Sequence, residues 1–214
     1  MKQAIKALLL PDTPRAMKIL WGIGCGLTIP INPQSELRIW LGLYELELTR
    51  HLRRLVAPGM RCYDVGGQYG FDALVLARLS GGHVVSFEAD ETLVPRMRRA
   101  FDLNAQLVPA LEEVHAFVGR GDAISLSLDE FAGERHPDFI KIDVDGAELE
   151  VLMGAERILR ETHPALIVET HSLVLERQCG EFLVARGYKP MIVNQRALLP
   201  DWRPIPHNRW LVAT

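Results

Sequence analysis

The stretch RCYDVGGQYGFDALVLARL, residues 61–79, decides how the rest of the chain is read. A short apolar run ends in Asp64, a loop carrying Gly66, Gly67 and Gly70 follows, and an amphipathic segment begins at once. The spacing predicts a strand over 61–65, a tight loop and a helix over 70–80. Working outward, the same alternation repeats. Strands are expected at 83–89, 114–119, 138–146 and 165–171, with helices at 91–103, 147–161 and 173–187 between and after them. KPMIVN and RWLVAT read as two closing strands with no helical pattern between them. The expected fold is therefore α/β: a mostly parallel sheet with helices on both faces and an antiparallel C-terminal edge.

Upstream, SELRIWLGLYELELTRHLRRLV spaces its apolar residues by three and four, which predicts one helix from about residue 35 to APGM. Residues 1–33 form a preamble with prolines at 11, 14, 30 and 33. The chain is thus divided into an N-terminal helical segment or cap, 1–57, and a main domain, 58–214.

With 48% hydrophobic and 24% charged residues and a net charge of -3, the composition is that of an ordinary globular protein and does not mark a nucleic-acid binder. Charge is uneven, however. Residues 1–60 hold eight Lys and Arg against four Asp and Glu, and the remainder sixteen against 23, so the two parts carry +4 and -7. The basic, apolar start allows contact with an acidic partner or a membrane surface, and a hydrophobic clasp over the main domain is the favoured reading of Met17–Ile31. That segment is too short and too glycine-rich to span a bilayer and has no export signature, so a cytoplasmic protein is expected. Cys25, Cys62 and Cys179 are few and far apart, which indicates neither a disulfide framework nor a zinc site.

In an open α/β sheet the ligand lies beyond the carboxyl ends of the strands, so the Asp64–Gly70 loop is the candidate. It has no Lys or Ser/Thr of the phosphate-loop kind, and its glycine spacing does not suit a pyrophosphate, which Asp64 would repel. Glu88 ends the second strand, where a carboxylate can accept hydrogen bonds from a ribose diol. Together these favour an adenosyl ligand bearing an amine and no phosphate, as in S-adenosylmethionine. Glu88 would hold its ribose, Gly66 and Gly70 would admit it to the backbone and Asp64 would help receive its methionyl end, with Gly67, Gln68, Ala89 and Asp143 as further cofactor-binding candidates. Glycines needed only for strand–helix packing are the plain alternative.

YDVGGQYG, VVSFEAD, LSLDEF, PDFIKIDVDGAELEVLMGAERIL and ALIVETH together resemble the FkbM family of S-adenosylmethionine-dependent methyltransferases over roughly residues 40–214, most specifically at Ile140–Ala155. The resemblance implies a Rossmann-like class I methyltransferase fold and O-methylation of a sugar, glycolipid or polyketide-type acceptor, small or lipid-linked. The chain departs from the family's loop, where Ala and Asn usually stand at the positions of Gly67 and Gln68, and from its Phe-Glu-Pro, which here is Phe-Glu-Ala.

Methyl transfer to a hydroxyl needs alignment and removal of one proton. Along their strand Lys141, Asp143 and Asp145 fall on one side, and Glu169 and His171 lie at the matching end of the next strand. Three readings stand side by side. Asp143 or His171 is the general base, with Lys141 beside it. Alternatively Asp143, Asp145, Glu169 and His171 hold a divalent ion, the less favoured case. Or the groups merely knit the strand tips together, Lys141 bridging a carboxylate. Tyr44 and Glu45, just ahead of the main domain, and Glu169 are substrate-side candidates, and Trp202 with HNRW (207–210) edges a cavity or closes a core. An NAD-dependent oxidoreductase and a binding protein without turnover are the rival functions.

Overall fold

A computed structural model of the chain describes residues 11–105, 111–197 and 207–214. The elements are β1 Arg15–Lys18, β2 Thr28–Ile31, α1 Leu37–Trp40, α2 Thr49–Leu55, β3 Cys62–Val65, α3 Phe71–Ser80, β4 Val84–Glu88, α4 Val94–Asp102, β5 Leu111–His115, α5 Leu128–Ala132, β6 Phe139–Ile142, α6 Glu148–Met153, α7 Glu156–Glu161, β7 Ala165–Thr170, α8 Leu173–Val184, β8 Met191–Val193 and β9 Arg209–Ala213.

Seven strands form one sheet in the order β5-β4-β3-β6-β7-β9-β8. β3 through β7 run parallel, while β9 lies antiparallel between β7 and β8. The strand order reverses between β3 and β6, so a crevice opens beyond their carboxyl ends. β3, β4, β6 and β7 are buried almost throughout because both faces of the sheet are covered. One apolar core joins the N-terminal segment and α3 to one face, from Ile29 and Leu52 to Leu74. The other packs Val151, Leu159 and Leu183 of α6–α8 against Ile140 and Val168.

Three expectations need correction. The N-terminal segment is not one helix. β1 and β2 form an antiparallel hairpin across it. The helix foreseen from residue 35 is broken between α1 and the 3-10 turn Leu46–Leu48, where Glu45 takes a left-handed backbone, φ 44°. Second, the strand foreseen at 114–119 sits earlier, at Leu111–His115, and the Ser-Leu-Ser-Leu stretch makes one bridge, Val118 with Leu126, before Ser127 caps α5. Third, the helix over 147–161 is two helices. They part at Gly154, whose carbonyl accepts from Ser127 Oγ at 2.8 Å and the Asp129 N–H at 2.9 Å.

Candidate functional site

A cavity of about 450 Å³ lies at the crevice, walled by Gly66, Gln68, Glu88, Ala89, Asp90, Phe117, Asp143 and Asp145 among others. Gly66 continues β3 with φ 93°, and its N–H and that of Gly67 both donate to Phe87 O. Gln68 follows with φ 43°, a conformation costly for any residue with a Cβ. Its N–H donates to Glu88 Oε2 at 2.7 Å, and the Asp90 N–H donates to Glu88 Oε1 at 2.7 Å. The end of β4 thus holds the glycine loop in place through one carboxylate. Each Glu88 oxygen keeps a lone pair for the cavity.

Gly67 and Gly70 are not on this wall. A Cβ at Gly67 would lie 2.1 Å from Ser86 Oγ, and one at Gly70 2.7 Å from Phe101. Both glycines let α4 and β4 close on the loop, so packing accounts for them; packing accounts for Gly66 too, where a Cβ would lie 1.9 Å from Asp143 O, although Gly66 and Gln68 also line the cavity. Asp64 is also set back from the wall. It is wholly buried and accepts from Ser86 Oγ at 2.9 Å, and its Oδ1 has no hydrogen-bond partner among the described residues. Burial, only partly offset by Lys141 and Ser86, raises its carboxyl to about 6.

Lys141 is no cavity residue either. Its ammonium lies wholly inside the protein, 2.7 Å from Asp72 Oδ2, 3.3 Å from Glu45 Oε2 and 3.5 Å from Asp143 Oδ2. It ties the N-terminal segment, α3 and β6 together, and the catalytic role expected of it gives way to this one. Burial raises Asp72 to about 8 despite the lysine. Asp72 was not foreseen as part of the site. An acid in the first turn of α3 was the signal the sequence offered, and its pairing with Lys141 appears only in the fold.

Behind Asp143 stands His171. Its Nδ1 is 2.6 Å from Glu148 Oε1, which also accepts the His171 backbone N–H at 3.2 Å. Its Nε2 faces Asp145 Oδ1 at 3.3 Å, Glu169 Oε1 at 3.6 Å and Asp143 Oδ1 at 3.7 Å. Burial is the largest influence and lowers the imidazole's pKa, but the Glu148 hydrogen bond and the surrounding carboxylates outweigh it and raise the pKa overall. Glu169 is wholly buried and accepts the Trp210 indole N–H at 2.9 Å, so it stands away from the wall. Asp143, Glu169 and His171 can each bring one ligand atom within 4.8 Å of the others, with Asp145 outside that group. Tyr44 packs edge-on against Phe71 and lines a small pocket of about 60 Å³ with Gln68 and Asp72, while Glu45 is held by Lys141. Trp202 lies outside the described residues.

Residues 118–190 match the family model described as the methyltransferase FkbM domain. The match is shorter than the span over which the motifs resemble the family, and it takes in Lys141, Asp143 and His171 but not the glycine loop or Glu88. No curated protein matches the sequence. Among solved structures, the FkbM methyltransferase from Methylobacillus flagellatus superposes with a TM-score of 0.60 at 18% identity, over 73% of this chain and 44% of that one. The Pyrococcus abyssi tRNA (uracil-54, C5)-methyltransferase in complex with S-adenosyl-L-homocysteine gives 0.59 at 18%, over 87% and 42%. Precorrin-6y C5,15-methyltransferase from Geobacter metallireducens gives 0.56 at 16%, over 79% and 85%. This chain therefore spans under half the length of the first two. The chain shares with these structures the Rossmann-like α/β fold of class I methyltransferases.

Proposed function

We propose that the cavity binds S-adenosylmethionine and that the chain transfers its methyl group to a hydroxyl of a sugar, glycolipid or polyketide-type acceptor. The observation that carries the donor is the charge of the wall. Glu88, Asp90, Asp143 and Asp145 line it, and no Lys, Arg or His does among the described residues. Such a wall repels a pyrophosphate and attracts a cation. It therefore disfavours NAD and suits a ligand with a sulfonium and an ammonium. The volume is that of a small-molecule site. Phe87, Leu93, Phe117 and Val118 supply apolar surface for a base, and the free lone pairs of Glu88 suit a diol.

When bound, the donor supplies a methyl group already activated on positively charged sulfur. The chain then has to place the acceptor and take one proton. Asp143 is on the wall, and His171 is not, so Asp143 receives the hydroxyl proton in this reading. Glu148 fixes the His171 ring from behind, and Lys141 fixes the other Asp143 oxygen, so that the carboxylate is held at the cavity's inner end. The hydroxyl as acceptor atom rests on the sequence resemblance.

Calorimetric titration tests the donor. S-adenosylmethionine should bind and NAD should not, and Glu88→Gln, which keeps an oxygen for the Gln68 N–H but turns its NH2 on the Asp90 N–H, should weaken the donor about tenfold or more. Tighter binding of NAD, or no donor binding to folded protein, would overturn the assignment. Donor binding with no methyl transfer to any member of a hydroxyl-acceptor panel would favour a binding protein over an enzyme.

A further inference from the structure

The net positive charge of the N-terminal segment becomes a property of the surface once its partners are known. Three of the four acids between residues 11 and 60 are turned inward onto cations of the main domain. Glu36 meets Arg96 at 2.8 Å, Glu45 meets Lys141 at 3.3 Å and Glu47 meets Arg196 at 2.6 Å. Asp12 is the one exposed acid of this stretch, whereas Arg15, Lys18, Arg50, Arg53 and Arg54 are all exposed.

Beside these cations the loop between β1 and β2 displays large apolar groups. Leu20 is 55% and Trp21 62% exposed. The loop is held firmly. The Leu20 N–H donates to Trp40 O at 2.9 Å, the Gly26 N–H to Ile19 O at 2.9 Å and Arg78 Nη1 to Cys25 O at 2.8 Å. Trp21 shares a trough of about 670 Å³ with Leu46, Thr49 and Arg53. Those same three residues line a second trough that runs on past Arg50 to Ile192, itself 46% exposed. Indole, aliphatic and guanidinium groups on one continuous surface are the chemistry of a bilayer's headgroup region, where Trp sits at the polar boundary and Arg meets lipid phosphate.

We propose that this face docks on the headgroup layer of an anionic lipid bilayer, Trp21 entering the interface and Arg50 and Arg53 meeting phosphate. The occupant is chosen by charge complementarity: exposed positive charge here, while the excess acid of the chain lies in the main domain. Docking does not depend on the methyl-transfer reading, and its test uses no enzymatic turnover.

Co-sedimentation of the full chain with phosphatidylcholine vesicles, with and without phosphatidylglycerol, is the experiment. Binding is expected with the anionic vesicles and not with the neutral ones, and should fall as salt shortens the screening length from about 10 Å at 0.1 M to about 3 Å at 1 M. At about fivefold per basic residue neutralised, Arg50→Gln/Arg53→Gln should bind about 25-fold more weakly. Trp21→Ala, a change at an exposed position, should also weaken binding while leaving the circular dichroism unchanged. Binding untouched by both variants, equal binding to neutral vesicles, or no binding to either would overturn the proposal. So would concentration-dependent dimerisation of a chain that ignores vesicles, which would assign the face to a second copy.

Discussion

Gln68 carries the local strain of the site. Its left-handed backbone is what aims its N–H at Glu88, and glycine would adopt the same φ without a Cβ clash. Gln68→Gly should therefore stabilise the fold by about 1 kcal/mol, raising Tm by about 2–4 °C in calorimetry; a fall in Tm would show that the side chain holds the loop. At this scale the sequence was partly legible. Glu88, Gly66, Gln68, Ala89 and Asp143 all reach the cavity wall, because the carboxyl end of a parallel strand is a fixed address in such a sheet. Gly67, Gly70 and Asp64 do not, and nothing in a strand-loop-helix spelling tells a glycine on the cavity wall from one that meets only Ser86 or Phe101. The side of Asp64 that is buried depends on Ser86, a neighbour only after β3 and β4 pair.

Between elements, the Lys141 ammonium is the joint that sets the N-terminal segment on the sheet. Removing it strands Glu45, Asp72 and Asp143 in a buried space. Lys141→Met should cost about 3–5 kcal/mol in urea unfolding, and Lys141→Met combined with Glu45→Gln should cost less than the two changes added. Strict additivity would mean that the two side chains do not communicate. The same joint explains why strands were easier to read than the upstream helix. Apolar runs such as FIKI and ALIVET announce themselves because burial on both faces demands them. The break between α1 and α2 answers a charge far along the chain, and a three-and-four spacing of apolar residues passes straight over it. The split of α6 from α7 is of the same kind, arising from the partners Ser127 and Asp129 in another element.

Among the described residues the molecule buries more acid than base. Asp64 is raised to about 6 and Asp72 to about 8, burial being the main cause in each. A carboxyl raised above its unfolded value near 3.8 contributes stability that is complete below that value and is lost as pH rises through the folded one. His171, raised above 6.5, acts in the same direction. Unfolding free energy should thus decline from about pH 4 to about pH 8, with a limiting slope of about 1.4 kcal/mol per pH unit for each site, and Asp72→Asn should flatten the part above about pH 6. Stability that rises over this range would contradict the protonation assigned to the cluster. The overall architecture was the most legible feature of all, since an alternating order of strands and helices admits few topologies. One detail of that architecture bears on synthesis. β9 is threaded between β7 and β8, and its Trp210 gives the buried Glu169 a hydrogen bond at 2.9 Å. A nascent chain still lacking Arg209–Ala213 has a gap in its sheet and an acid in its interior short of that donor. On the ribosome, therefore, protease resistance should arrive abruptly with the last strand instead of accumulating helix by helix.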